Sequence, residues 1–279
     1  MSEHRKGTQM VFAPGSFSWG SADAYEAYMG RWSRKLAPAF VRWLGIPAKC
    51  DWLDVGCGTG ALAAAILELG NPTTVLGIDP SSDFVAAAAA QILDPRAVFE
   101  VGDARAMALE DERFAVVVAG LVLNHIADPA AAAAEMVRVA RPGGTVGAYI
   151  WDYSGEMQMV RFFWEAVAAT DVNAADHDPR PLYHISHPGP LATLFEEAGL
   201  GDIVVEAIDV PMKFRDFDDY WVPHTLAGPA SVQRYVASLD DDRRSALRQQ
   251  LLSTLPVAQD VGINLVGRAW AARGRKPLQ

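Results

Sequence analysis

The sequence predicts an α/β fold of the doubly wound type: a mostly parallel sheet with helices on both faces. Three observations carry this expectation. Short runs rich in β-branched or small apolar residues alternate with alanine-rich helical stretches through the middle of the chain. A glycine-rich turn sits between the first such run and the first helix. Two later strand-like runs bracket a polar helical stretch, which places an insertion before the last strand.

The strand-like runs are Trp52–Val55, Thr74–Ile78, Ala97–Val101, Ala115–Ala119 and Thr145–Ile150. Ala61–Leu69, Phe84–Leu93 and Ala130–Ala140 read as the helices between them. The two five-alanine runs suit helices lying close against a sheet, because alanine has the best helix propensity and needs little room. After Ile150 the rhythm changes. Met157–Ala169 and Leu191–Ala198 read as helices on either side of a loop rich in Pro and His, Asp176–Pro190. Asp202–Phe214 and Gly262–Ala271 read as strands around the helical, polar stretch Asp216–Pro256. The organisation expected is a loosely ordered start (1–20), a main domain with an N-terminal covering helix (21–215), a helical lid (216–256) and the last strand with the C-terminus (257–279).

Of the 279 residues, 51% are hydrophobic and 21% charged, and the formal net charge is −10. An acidic surface repels phosphate backbones, and the short basic stretches Arg31 to Lys35 and Arg268 to Lys276 are interleaved with apolar residues, so nucleic acid is not an expected partner. Cys50 and Cys57 flank one strand and are held too far apart to bridge, which fits reduced thiols and a cytoplasmic setting. No uncharged apolar run reaches the roughly 18 residues that a membrane span needs. The segment before Pro14 has no apolar stretch of signal-peptide type.

The chemistry concentrates in Asp54-Val-Gly-Cys-Gly-Thr-Gly-Ala61. Gly56, Gly58 and Gly60 permit a tight turn with close backbone approach, and amides at the helix N-terminus point toward a ligand. Read as Gly56-x-Gly58-x-x-Ala61, the loop also matches the dinucleotide fingerprint, so a nicotinamide-dependent oxidoreductase is a competing reading. Asp54, two residues before the first glycine, would repel a pyrophosphate but suits the cationic amino group of a sulfonium cofactor. Asp79 ends the second strand where a carboxylate grips ribose hydroxyls, and Pro80 follows it with a face for a purine. Asp103 closes the third strand, where it can accept a hydrogen bond from an adenine amine.

Five motifs stand in order with matching spacing: Leu53-Asp-Val-Gly-Cys-Gly-Thr-Gly60, Gly77-Ile-Asp-Pro80, Val101-Gly-Asp-Ala104, Leu121-Val-Leu-Asn-His125 and Val139-Ala-Arg-Pro-Gly-Gly144. On these the chain resembles the class I S-adenosylmethionine-dependent methyltransferases, in particular the bacterial branch similar to quinone-biosynthesis methyltransferases, over roughly Tyr25 to Asp152. The resemblance implies a Rossmann-like sheet of seven strands, the last antiparallel, with S-adenosylmethionine across the strand tips. It implies that Asp54 with Gly56, Cys57, Gly58 and Gly60 holds the methionine part, Asp79 and Pro80 the nucleoside, Asp103 and Ala104 the adenine, with Leu121 near the ring or the methyl group. From the covering helix it implies Tyr28 and Arg34, Arg34 meeting the cofactor's carboxylate. Relatives often carry paired histidines where this chain has Asn124-His125. Asn124 is no base, so a base role does not carry over to this position. His125 reads first as an ordinary helix-start residue and otherwise as a catalytic candidate, and the catalytic residue stays unassigned.

Methyl transfer from a sulfonium needs alignment and dryness more than a catalytic group, and a base only where the nucleophile carries a proton. Trp151, Tyr153, Phe162, Phe163, Trp164, Phe214, Phe217, Tyr220 and Trp221 suggest a small aromatic or hydrophobic acceptor. No metal is expected from His177, His184 and His187, which sit in a proline-shaped loop. The function expected is methyl transfer to a small molecule. The alternatives are the oxidoreductase and a protein that binds the sulfonium without transfer.

Overall fold

A computed structural model describes residues 25–226, 230–258 and 262–278. The expectation for the first twenty residues lies outside them. After a π-helical turn, Glu26–Gly30, come α1 (Arg31–Leu44), β1 (Asp51–Val55), α2 (Ala61–Leu69), β2 (Thr74–Asp79), α3 (Ser82–Gln91), β3 (Ala97–Val101) and β4 (Phe114–Gly120). Then follow α4 (Pro129–Val139), β5 (Ala140–Trp151), α5 (Gln158–Thr170), α6 (Pro188–Glu197) and β6 (Gly201–Phe214). The insertion contains α7 (Phe217–Leu226), α8 (Ala230–Ser238) and α9 (Asp241–Thr254), and the last long strand is β7 (Gly262–Arg275).

The strand order is β3-β2-β1-β4-β5-β7-β6, with a two-residue strand, Val257–Ala258, paired to β7. The first five strands run parallel and β7 enters antiparallel between β5 and β6. The order reverses beside β1, and in open sheets of this kind ligands bind at that switch point, beyond the strands' carboxyl ends. Strand β1 lies between β2 and β4, and β4 is buried from Phe114 to Ala119 because both of its faces are covered.

Local chemistry sets the element ends. The Ser81 hydroxyl accepts from the Phe84 amide and caps α3, so this helix starts two residues earlier than the apolar pattern suggests and ends before Leu93, ahead of Asp94-Pro95. Asp128 caps α4 through the Ala131 amide at 2.9 Å, with Pro129 in the first turn. Helix α1 buries Trp32, Leu36, Phe40 and Leu44 at four-residue spacing and so lays one face on the sheet. β7 runs four residues past Ala271, because Gly201 of β6 pairs with Arg275.

Two hydrophobic clusters cover the two faces of the sheet. The larger joins α1, α2, α5 and the insertion, and it takes up most of the aromatics expected to wall a pocket. Trp151, Phe163, Trp164, Phe214 and Tyr220 are at most 2% exposed. Tyr220 donates its hydroxyl to the Met159 carbonyl at 2.8 Å, and its ring packs on His224 and Phe214. Tyr220 and Trp221 therefore pack the insertion onto the body instead of facing an open lid space.

Candidate active site at the strand tips

The chain leaves β1 through Gly56, Gly58 and Gly60, all at positive φ. The Gly56 and Cys57 amides donate to the Ile78 carbonyl at 2.8 and 2.9 Å, and the Gly58 amide donates to Asp79 Oδ2 at 3.1 Å. These bonds lash the loop to the tip of β2. A Cβ on Gly56 would strike Val122 Cγ2 at 2.5 Å, so close packing demands glycine there. A Cβ on Gly58, at φ +53°, would meet nothing within 4 Å. The space above Gly58 is open, and a ligand can lie directly on its backbone.

Three carboxylates stand at three successive strand ends in three different environments. Asp54 is fully buried and neither oxygen has a hydrogen-bond partner of good geometry. Burial pushes its pKa up to about 7, opposed by the Ala63 amide and reinforced by Asp79. Asp79 is 6% exposed; it accepts from the Ser81 amide at 2.9 Å and from Gly58, and burial raises its pKa against those two bonds. Asp103 is exposed and paired with Arg105 at 2.7 Å, which holds its carboxyl below the usual range.

Asp54 lines a cavity of about 40 Å³ together with Tyr25, Ser33, Cys57, Leu121 and Tyr149. Tyr25 Oη and Ser33 Oγ lie 2.6 Å apart, which ties the covering segment over the loop, and burial pushes the Tyr25 phenol up to about 12. Leu121 adopts φ +60°, a left-handed conformation costly for a bulky side chain, with its amide donating to the Tyr149 carbonyl at 2.8 Å. Pro80 is exposed beside the tip of β2, and Ala104 is buried beyond Asp103.

Two expected residues stand elsewhere. The Tyr28 ring meets His224 edge-on at 5.1 Å, on the side of the insertion, and Tyr28 is not among the residues lining the cavity. Arg34 is half exposed and ion-paired with Glu26, which also accepts from Thr59. The physical reason lies in the turn Glu26–Gly30: a π-helix is wider than an α-helix and rotates the face that the residues before it present. Tyr25, not the Tyr28 that the resemblance implies, lines the cavity at the loop. Tyr25, Ser33 and Tyr149 escaped the sequence reading, because no motif marks a residue brought to the loop by a change of helical phase or from the strand beyond β4.

His125 ends a 3₁₀ turn, Leu123–His125, after β4. Asn124 Nδ2 lies 3.3 Å from its Nε2, and its ring contacts Tyr183 and Tyr153 at 5.7 and 6.5 Å between centroids. Burial pushes the His125 pKa down to about 4, so the imidazole is neutral in ordinary buffers. Among the described residues no group of three or more His, Cys, Asp or Glu side chains gathers to hold a metal, and no helix is long and apolar enough to cross a membrane.

A family model described as a methyltransferase domain matches residues 53–147, the stretch that carries the glycine loop and all three strand-end carboxylates. A demethylmenaquinone methyltransferase of Roseiflexus castenholzii is 30% identical over 177 residues, covering 59% of this chain and 74% of that protein. The chain belongs to the class I S-adenosylmethionine-dependent methyltransferases. Solved structures share the architecture of this methyltransferase at lower identity. A phosphoethanolamine N-methyltransferase of Haemonchus contortus, in complex with S-adenosylhomocysteine, aligns at TM-score 0.55 with 19% identity, covering 92% of this chain and 57% of that one. The [4+2]-cyclase SpnF aligns at 0.55 with 21% identity, covering 88% and 82%. A shared fold with a cyclase means that residues, not architecture, must carry the argument for the reaction.

Proposed function

We propose that this methyltransferase moves the methyl group of S-adenosylmethionine to a small aromatic or hydrophobic molecule. The observation that carries the cofactor assignment is Asp54: a fully buried carboxylate lining the cavity at the glycine loop, with no hydrogen bond of good geometry and only the Ala63 amide to ease its charge. A buried bare carboxylate is costly unless a cation completes it. The methionyl ammonium is such a cation and brings no phosphate to be repelled. Gly58 offers its backbone under open space, Asp79 accepts the ribose hydroxyls, Asp103 with Ala104 takes the adenine, and Pro80, Cys57 and Leu121 form walls. Tyr25 closes the methionine end, and Arg34 reaches the cofactor's carboxylate only by exchanging Glu26 for it. When bound, the cofactor supplies an electrophilic methyl group on a sulfonium, and the chain's own residues orient the acceptor and exclude water.

For the acceptor, the supporting feature is the group of His125, Tyr153 and Tyr183, in which the two tyrosine rings lie 4.7 Å apart. Aromatic faces carrying hydroxyls and a neutral imidazole suit a flat aromatic acceptor, and the Roseiflexus protein is named for a flat ring compound, the quinone demethylmenaquinone. Where the acceptor carries a hydroxyl, His125 is the candidate to take its proton. The net charge of −10 argues against nucleic acid.

Calorimetric titration tests the cofactor: S-adenosylhomocysteine binds in the micromolar range and NAD does not. Transfer of labelled methyl from S-adenosylmethionine to a panel of phenols and quinols tests the acceptor. Tight NAD binding, or labelled product from only non-aromatic acceptors, overturns the respective part.

A further inference from the structure

At the opposite end of the sheet lies a second and larger cavity, about 400 Å³, between the starts of β4, β5 and β6 and the end of β7. Its distance from the glycine loop is the length of β1, about 17 Å for five residues of strand. Arg141, Arg273 and Arg275 line it, with Thr145 and one carboxylate, Asp202.

These three arginines share one cavity and lack the carboxylate partner that most arginines of the chain have. Arg31, Arg96, Arg105, Arg138, Arg180 and Arg268 are each ion-paired with an aspartate or glutamate, as an acidic protein makes easy. Among the described residues, Arg141, Arg273 and Arg275 have no carboxylate within 4 Å. Arg273 donates to the Trp43 and Leu44 carbonyls at 3.4 and 2.9 Å and so neutralises the negative end of α1. Arg275 donates to the Gly143 carbonyl at 3.2 Å. Each of these bonds uses one nitrogen of a guanidinium that has five N–H donors, and the Arg141 guanidinium makes no hydrogen bond among the described residues. Three guanidinium groups against one carboxylate, with Arg273 partly offset by the end of α1, leave an excess of positive charge around one concave space.

The backbone there is also irregular. The β4–β5 register shifts between Phe114 and Val116, the β6–β7 register shifts between Gly201 and Val204, and Asp202 sits at φ +51°. Both irregularities fall at the cavity wall, and bulges of this kind re-aim side chains beside binding sites.

We infer that this cavity is a second binding site, for a small molecule that carries a phosphate group. A phosphate bears about two negative charges at neutral pH and three acceptor oxygens, which matches the excess charge and the forked donors. Thr145 and Asp202 are then available to the hydroxyls of an organic phosphate. The site is separate from the methyl-transfer centre, and its existence does not depend on the acceptor proposed above.

The test is titration of the full chain with inorganic phosphate and with glycerol phosphate, at ionic strength held constant with chloride. The variants are Arg141→Gln and Arg141→Gln/Arg275→Gln, both changes at exposed positions. Saturable phosphate binding is expected, weakened about tenfold or more in the double variant, while its melting temperature and S-adenosylhomocysteine affinity stay at the wild-type values. Glycerol phosphate binding at least as tightly assigns the site to organic phosphates, and tighter binding of the inorganic ion assigns it to free phosphate. Heats no larger than the chloride control, or a double variant that binds phosphate as the wild type does, overturns the inference.

Discussion

Around the tips of β1 and β2 the side chains are small and the polar groups are left open; between α5 and α7 large rings fill the space. Asp54 has two buried oxygens with no hydrogen bond of good geometry, whereas the Tyr220 hydroxyl, equally buried, is bonded to the Met159 carbonyl. His224 is stacked on Phe163 at 4.8 Å and its Nδ1 meets the Tyr220 carbonyl at 2.7 Å. The first region holds back stability that a ligand can supply, and the second spends its contacts on holding the insertion in place. Substitutions should therefore separate binding from folding according to region.

The largest effect is expected from Tyr220→Ala, which removes a fully buried ring and leaves the Met159 carbonyl bare. A loss of about 3–5 kcal/mol in unfolding free energy is expected by denaturant titration, and only about 1 kcal/mol for Tyr220→Phe. If Tyr220→Ala melts like the wild type, the aromatic block is not a core.

Asp54→Asn should act in the opposite sense on stability and binding. The folded pKa of Asp54 is about 7 against 3.8 for the free group, so its contribution to stability is complete below about pH 4 and is lost as pH rises to about 7. Melting curves across pH should show the wild type losing up to a few kcal/mol relative to the variant between those limits. Cofactor affinity runs the other way, because the ammonium needs the ionised carboxylate. Wild-type affinity for S-adenosylhomocysteine should fall about tenfold per pH unit below pH 7, and the variant should bind weakly with no such slope.

Gly58→Ala probes the open space above the loop. A left-handed alanine costs about 1–2 kcal/mol, and the methyl group occupies the ligand's place. A calorimetric loss of cofactor binding larger than the loss of stability is expected; equal losses would mean that only the turn is disturbed. Asp103→Ala is expected to matter least. Its carboxylate is exposed and paired with Arg105, so stability should change by less than about 0.5 kcal/mol and cofactor affinity by less than in Asp79→Ala.

How legible these regions were differs in the same way. β1, the glycine loop, Asp79 and the alanine-rich helices follow from local rules, since period, turn residues and caps lie within a few positions of one another. The insertion's helices were legible as helices, but not which of their rings would be buried, because that depends on α5 and β6. Tyr25 replaced Tyr28 at the loop through a π-helical turn that no residue in Glu26–Gly30 announces. Arg141, Arg273 and Arg275 meet only because β7 enters between β5 and β6, and its pairing with β5 is made across more than a hundred residues.

The length of β6 and β7 has a consequence of its own. Each has 14 residues against five in β1, and the part of β7 from Ile263 to Arg268 lies past its pairing with β5 while still paired with β6. Phe214 and Ile263 are register partners, so the whole insertion leaves and returns at a single rung, with its two ends about 5 Å apart. A segment tethered in this way is held to the sheet by one rung and to the body by its buried rings. Grafting a different helical stretch between those two residues adds little chain-closure entropy, since that term grows only with the logarithm of length. Closure therefore sets little limit on a replacement; the limit is the face of α5 that Tyr220 and its neighbours now cover, which any substitute has to cover again.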